Sequence, residues 1–298
     1  MATGVIQKPP WLRIRPPDSD SFKVLREKLP RLGLHTVCEE AHCPNMSECW
    51  SAGTATFMVL GDTCTRGCRF CAIKTAAKPL PPNPLEPETL AKTIEEMKLG
   101  YVVITSVDRD DLPDQGAGHF AACIRAVRKE NPKTKIEVLT PDFRGEKACI
   151  RTVLDACPDV FGHNLETVKR LQSTVRDRRA NYEQSLEVLA FVKKSSPETF
   201  TKSALMLGLG ETEDEVLEAF DGLRKAMVDI VYVGQYLQPS ARHIALKEYV
   251  APAVFARLEA AAKEKGFLYA KAGPFVRSSY KAESFFEKKG QEHARSAK

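Results

Sequence analysis

Between residues 54 and 233 the chain repeats one pattern, a short β-branched or apolar run followed by a longer stretch with helical periodicity. The strand-like runs fall at 54–60, 101–105, 135–139, 159–162, 201–207 and 229–233. The helical stretches fall at 86–98, 120–129, 183–194 and 213–227, the last with an acidic opening that suits the positive end of a helix. Regular alternation of this kind makes successive strands parallel and sends the connecting helices over the outside of the sheet. Six strands point to an α/β fold built as a partial (β/α)6 barrel, with an open doubly wound sheet as the alternative. At 298 residues and 43% hydrophobic content the chain can fill such a core.

The flanks read differently. As far as about Leu34 the chain is rich in proline and charge, and Pro9, Pro10, Pro16 and Pro17 resist regular structure, so an extended arm around the main domain is expected. Residues 251–265 read as a helix, and the basic tail beyond Lys288 as disordered. This divides the chain into an N-terminal extension (1–53), the partial barrel (54–250) and a C-terminal extension (251–298). Lys and Arg exceed Asp and Glu by 44 to 39, a charge of +5 spread without a sustained block, which speaks against nucleic acid as a partner. No apolar run approaches the ~20 residues that cross a bilayer, and residues 1–10 lack the apolar stretch of a secretory signal. A cytoplasmic protein is expected, or one of the mitochondrial matrix if the chain is a processed form. In a reducing compartment nine cysteines point to metals or catalysis rather than disulfides.

Six of those cysteines form two trios. Cys64, Cys68 and Cys71 are separated by three and then two residues, in a loop directly after the first strand of the barrel, where such folds place their chemistry. Three thiolates on a four-iron cluster leave one iron open, and an open position distinguishes a catalytic metal site from a closed structural one. Gly67 lets the loop turn closely, and Phe70 offers it an apolar wall. A zinc knuckle is the alternative, although the loop supplies no fourth ligand. Cys38, Cys43 and Cys49 form the second trio, spaced by four and then five residues, with Pro44 and Asn45 to help the chain wrap a metal. A separate zinc site using His42 is the alternative there, made awkward by its adjacency to Cys43.

The Cys-x3-Cys-x2-Cys loop resembles the signature of the radical S-adenosylmethionine superfamily, in which methionine's amino and carboxylate groups chelate the open iron. An electron from the cluster then yields a 5′-deoxyadenosyl radical. Both trios together with Arg277-Ser-Ser-Tyr280 resemble the lipoyl synthase family within it, over roughly residues 11–282. Four further stretches fit the same resemblance: Ile104–Leu112, Gly162–Glu166, Leu207–Glu211 and Gly234–Pro239. Gln115 departs from it, standing where many relatives have glycine, which puts only the shape of that loop in doubt.

The resemblance implies two 4Fe-4S clusters and S-adenosylmethionine. One cluster sits on Cys64, Cys68 and Cys71; an auxiliary one sits on Cys38, Cys43, Cys49 and a serine, Ser279 being preferred to Ser278. It implies a sulfurtransferase that places two sulfur atoms at C6 and C8 of a protein-bound octanoyl-lysine, the auxiliary cluster serving as sacrificial donor. Unactivated methylenes carry no acidic proton, so a radical route is required and the cofactors carry the chemistry. The implied partners are an octanoylated lipoyl-carrier domain, from a 2-oxoacid dehydrogenase E2 or a glycine cleavage H protein, and ferredoxin or flavodoxin as reductant. Asn164 and Glu166 could hydrogen-bond the cosubstrate, and Leu207 and Gly208 could let its adenine approach the backbone. Polar residues after barrel strands can equally be loop caps. Rival functions are another radical sulfur-inserting enzyme, or a non-catalytic zinc or iron–sulfur protein. Cys123, Cys149 and Cys157 read as small buried residues, His163 and His243 as structural, and Gly208–Gly210 as too short for a nucleotide fingerprint.

Overall fold

The computed structural model describes residues 7–13, 29, 32–40, 43, 45–51 and 54–288. Most of the proline-rich arm, including Pro16 and Pro17, and the tail beyond Lys288 lie outside these residues, as do His42 and Pro44. Where the arm is described, Pro10–Leu12 form a 3-10 turn with a proline at its start and Leu12 buried.

All six expected strands are present within one eight-stranded sheet. In chain order its strands are β1 (His35–Thr36), β2 (Thr54–Val59), β3 (Tyr101–Ser106), β4 (Lys135–Leu139), β5 (Val160–Gly162), β6 (Phe200–Leu207), β7 (Ile230–Gln235) and β8 (Tyr269–Gly273). Each pairs with the next, so the spatial order equals the chain order. Every pairing is parallel except that of β1 with β2. Two short strands thus extend the expected sheet, one at each edge. Among the described residues nothing pairs β1 with β8, so the barrel is open. The unreversed strand order also excludes the doubly wound alternative, which needs a switch point.

The helices of eight residues or more among the described residues are α1 (Glu86–Glu96), α2 (Ala117–Glu130), α3 (Lys147–Leu154), α4 (Tyr182–Ser195), α5 (Glu213–Lys225) and α6 (Pro252–Glu264). Capping fixes the start of α5: Thr212 accepts from the Glu215 amide while the Glu215 side chain accepts from the Thr212 amide. Helix α3 escaped the sequence reading because it has only 8 residues and follows a tight turn in which Phe143 and Arg144 have positive φ.

Side chains alternate across each strand, which divides the core into layers. One face of β2–β5, with Phe57, Val102, Ile104, Ile136, Val138 and Phe161, packs on α1–α3 through Leu90, Ile94, Phe120 and Ile150. The matching face of β6 and β7 packs on α5 and α6 through Phe220, Leu223, Phe255 and Leu258. The opposite face looks into the barrel. There the segment after β8 closes the N-terminal end: Phe285 stacks edge-on against Phe200 at 4.8 Å, and Phe286 lies 6.0 Å from Tyr101. Above this floor Lys202 is held by both oxygens of Glu137 at 2.9 Å, with the Tyr101 hydroxyl on the same carboxylate at 2.7 Å.

Candidate active site

The Cys64–Cys71 loop begins with a sharp reversal. Leu60 and Gly61, directly after β2, have φ of 70° and 88°, and a buried leucine in the left-handed region needs support from its surroundings. Its N–H donates to Glu86 Oε2 at 2.9 Å, and its carbonyl accepts from Arg109 Nη1 at 3.3 Å. His119 Nε2 grips the same Glu86 oxygen at 2.6 Å. The Leu60 side chain presses on Gly116, where a Cβ would stand 2.5 Å from its Cδ1, so only glycine fits there.

Beyond this root Arg66, 3% exposed, anchors the loop. Its guanidinium donates to Asp110 at 2.8 and 2.9 Å and to Asp142 at 2.8 Å, and lies 3.2 Å from Asp108. These carboxylates come from the loops after β3 and β4, so one buried fork ties three barrel loops together. Burial pushes the Asp108 carboxyl up to about 6, assisted by Asp142 and Asp110 and opposed by Arg66.

The three thiols converge at this mouth. The Arg66 amide donates to Cys64 Sγ at 3.3 Å and the Asp177 amide to Cys68 Sγ at 3.2 Å. Cys71 is braced from behind, its carbonyl accepting from His243 Nε2 at 3.0 Å. With its Nε2 donating, His243 Nδ1 accepts from the Ser240 hydroxyl at 2.9 Å, so this loop histidine supports the cysteine loop. Burial pushes the Cys64 and Cys68 thiols up to about 12, a penalty that a coordinated cation removes by holding each sulfur as thiolate. Three converging thiols with amide donors aimed at two of them suit an iron–sulfur cluster.

The cysteines open onto a cavity of about 590 Å³, within the size range of small-molecule sites. Phe70, Asn164 and Glu166 line it with all three. Burial pushes the Glu166 carboxyl up against the opposing influence of Arg176. Leu207 and Gly208 do not line it. Leu207 packs with Leu205 in the apolar layer under α5, and Gly208 is roofed by Gln235 and Glu248; the cavity wall on this strand is made by the preceding residues, Ala204 to Met206. His163 lines the cavity but is fully engaged: Nδ1 donates to the Thr140 carbonyl at 2.9 Å, and Nε2 accepts from Ser185 Oγ, itself held by Arg176. Burial, aided by Arg176, pulls its pKa down to about 4, so the ring is neutral and structural.

The second trio is folded against the C-terminal turn. Cys38 and Cys43 are joined by a 2.9 Å amide–carbonyl bond, and Asn45 Nδ2 donates to the Phe275 carbonyl at 2.5 Å. Glu48 receives the Tyr280 hydroxyl at 3.1 Å and the Lys281 ammonium at 2.8 Å. Burial, with the neighbouring cysteines, pushes the Cys38 thiol up to about 11 and Cys49 to about 12, while Arg277 opposes the upward shift at Cys43. One buried and two half-buried thiols that influence one another electrostatically, with Arg277 acting on Cys43, again suit a cluster of thiolate ligands. The Arg277–Tyr280 turn closes with an amide–carbonyl bond of 2.9 Å. Within it Arg277 and Ser278 line the cavity and Ser279 does not.

The remaining cysteines differ. Cys123 and Cys149 are buried as expected, whereas Cys157 is exposed in a turn at a φ of 58°. Cys123 lies near Glu86 and His119, whose side chains already bond each other.

Residues 58–223, more than half of the chain, match the Radical SAM superfamily. The chain is 56% identical over 280 residues to the lipoyl synthase of Anaeromyxobacter sp., covering 94% of this chain and 95% of that protein. It is 55% identical over 284 residues to the mitochondrial lipoyl synthase of Trichoplax adhaerens, covering 94% and 81%. The chain belongs to the lipoyl synthase family. Lipoyl synthases are radical S-adenosylmethionine sulfurtransferases, so family membership implies a 4Fe-4S cluster and S-adenosylmethionine, and makes a lipoyl-carrier protein the substrate class. The fold agrees: the FeFe-hydrogenase maturase HydG of Carboxydothermus hydrogenoformans superposes with a TM-score of 0.57 at 14% identity, over 90% of this chain and 78% of that one. Among the described residues no helix is long and apolar enough to cross a membrane.

Proposed function

We propose that this lipoyl synthase inserts sulfur at C6 and C8 of an octanoyl-lysine carried by an E2 or H-protein lipoyl domain, with reducing equivalents from a ferredoxin or flavodoxin. On this reading Cys64, Cys68 and Cys71 hold one four-iron cluster and Cys38, Cys43, Cys49 and Ser279 a second. When bound, these supply the electron that cleaves S-adenosylmethionine and the sulfur that is inserted.

The observation that carries this reading is a juxtaposition. One cavity is walled on one side by Cys64, Cys68 and Cys71 and on another by Val37, Arg277 and Ser278, which adjoin the second trio. A chain lying in it would pass from one trio towards the other. Met58, Leu139, Ala204 and Val276 give it an apolar stretch fit for an alkyl chain. Thr105, Asn164, Glu166 and Arg176 give it polar groups for the amino acid and ribose of the cosubstrate. Arg66 and its carboxylates tie the loop to its neighbours, and Phe285 and Phe286 pack on Phe200 as an aromatic floor below. Ser279 is preferred to Ser278 on the family resemblance, Ser278 being the one of the two that lines the cavity. The three-part organisation at 1–53, 54–250 and 251–298 follows, the outer parts supplying the second site, and the setting is the cytoplasm or an organelle matrix. Anaerobic turnover with an octanoyl-lysine peptide, dithionite and S-adenosylmethionine should yield a dithiolane product by mass spectrometry. Release of 5′-deoxyadenosine with no carbon–sulfur bond would count against the assignment.

A further inference from the structure

The Cys64–Cys71 loop is a thin wall. Arg66 and Thr75 line the inner cavity on one side and an outer depression on the other, where Thr65, Gly67, Ala76 and Ala77 join them. The rim of this depression is made by Arg144, Arg178 and Arg179. Their charges and the local carboxylates are sorted by depth. The Arg144 and Arg179 side chains are 51% and 36% exposed, whereas their partner Asp110 is 4% exposed. Asp142 is 0% and Asp177 12% exposed. Asp111 is 18% exposed and tied to Arg109. Arg178 is exposed and forms no ion pair among the described residues. The face therefore shows guanidinium groups to solvent and keeps carboxylates beneath. Gly67, which also lines it, is exposed with nothing within 4 Å of where a Cβ would stand.

We propose that this arginine-rimmed depression is where a small acidic one-electron donor protein docks, directly over the outer face of the Cys64–Cys71 loop. The inference rests on the reading of that loop as a cluster site. In the transfer the donor loses one electron and the site gains one; no bond forms and no proton moves. The carrier substrate is the less suited occupant, because its acyl chain must reach the cavity on the far side of the wall. Outward-facing arginines steer an acidic partner and make the encounter depend on salt.

Arg178→Glu and Arg144→Gln test this in the cluster-loaded protein, with an acidic flavodoxin as the probe. Binding measured by interferometry should weaken by about tenfold or more in Arg178→Glu and less in Arg144→Gln, with Arg178→Lys close to wild type. Wild-type binding should fall as salt rises. Dithionite-driven 5′-deoxyadenosine formation and peptide conversion should stay at wild-type rates, while the flavodoxin-driven rate drops. Unchanged flavodoxin binding in Arg178→Glu overturns the proposal. So does loss of binding to an octanoylated carrier domain alone, which would assign the face to the substrate. Failure of wild-type protein to convert the peptide with dithionite would strike the proposed function instead, since binding is read separately.

Discussion

Asn45 Nδ2 donates to the carbonyl of Phe275 at 2.5 Å, a bond between residues 230 positions apart that joins the second cysteine loop to the strand end leading into Arg277–Tyr280. Asn45 is only 6% exposed. Asn45→Ala strands a carbonyl and should cost about 1–3 kcal/mol. If the bond sets the distance between the trio and the serine turn, dithionite-driven 5′-deoxyadenosine release should stay near wild type while dithiolane product falls several-fold. Parallel losses of both, by chromatography and mass spectrometry, would show a general loosening instead.

Glu86 offers a second test, at the root of the first loop. Glu86→Ala leaves the buried Leu60 N–H without its acceptor and His119 without its partner. A cost of about 1–3 kcal/mol is expected, which lowers the melting temperature by several degrees. Glu86→Gln retains an oxygen for Leu60 and should recover most of the stability. Deoxyadenosine formed per bound iron should follow the same order, because Leu60 aims the loop.

His163 predicts a dependence on pH. Its pKa lies at about 4 in the fold against 6.5 in the free side chain, so between those values the unfolded chain holds a proton that the folded chain does not. Stability therefore rises with pH across that window, is fully present above 6.5 and is lost as acid is added. The loss on moving from pH 7 to pH 4 is on the order of 3 kcal/mol. Urea unfolding at pH 7 and pH 5 should show a steeper loss for wild type than for His163→Gln. Equal pH slopes would contradict the neutral, buried assignment.

The strands and long helices were legible because periodicity is a local property. Glu213–Lys225 carries its own capping box, and Thr54–Val59 is buried at every position. The two cysteine trios were legible for the same reason, since their spacing is written along the chain. What escaped depends on tertiary contacts. Nothing near His243 reveals that its ring sits on Cys71, 172 residues away, and nothing in Phe285-Phe286 reveals that they floor the barrel. Nor does the sequence around Leu207 and Gly208 reveal that the cavity wall ends at Met206, one residue before them.

The proposed function divides the labour between the two trios. Replacing Cys38, Cys43 and Cys49 together by Ala, and in a second protein Cys64, Cys68 and Cys71, separates the two roles in one assay. With dithionite, S-adenosylmethionine and octanoyl-lysine peptide, the first variant should still release 5′-deoxyadenosine but form no carbon–sulfur bond, and the second should release none. Dithiolane product from the first variant would contradict the account.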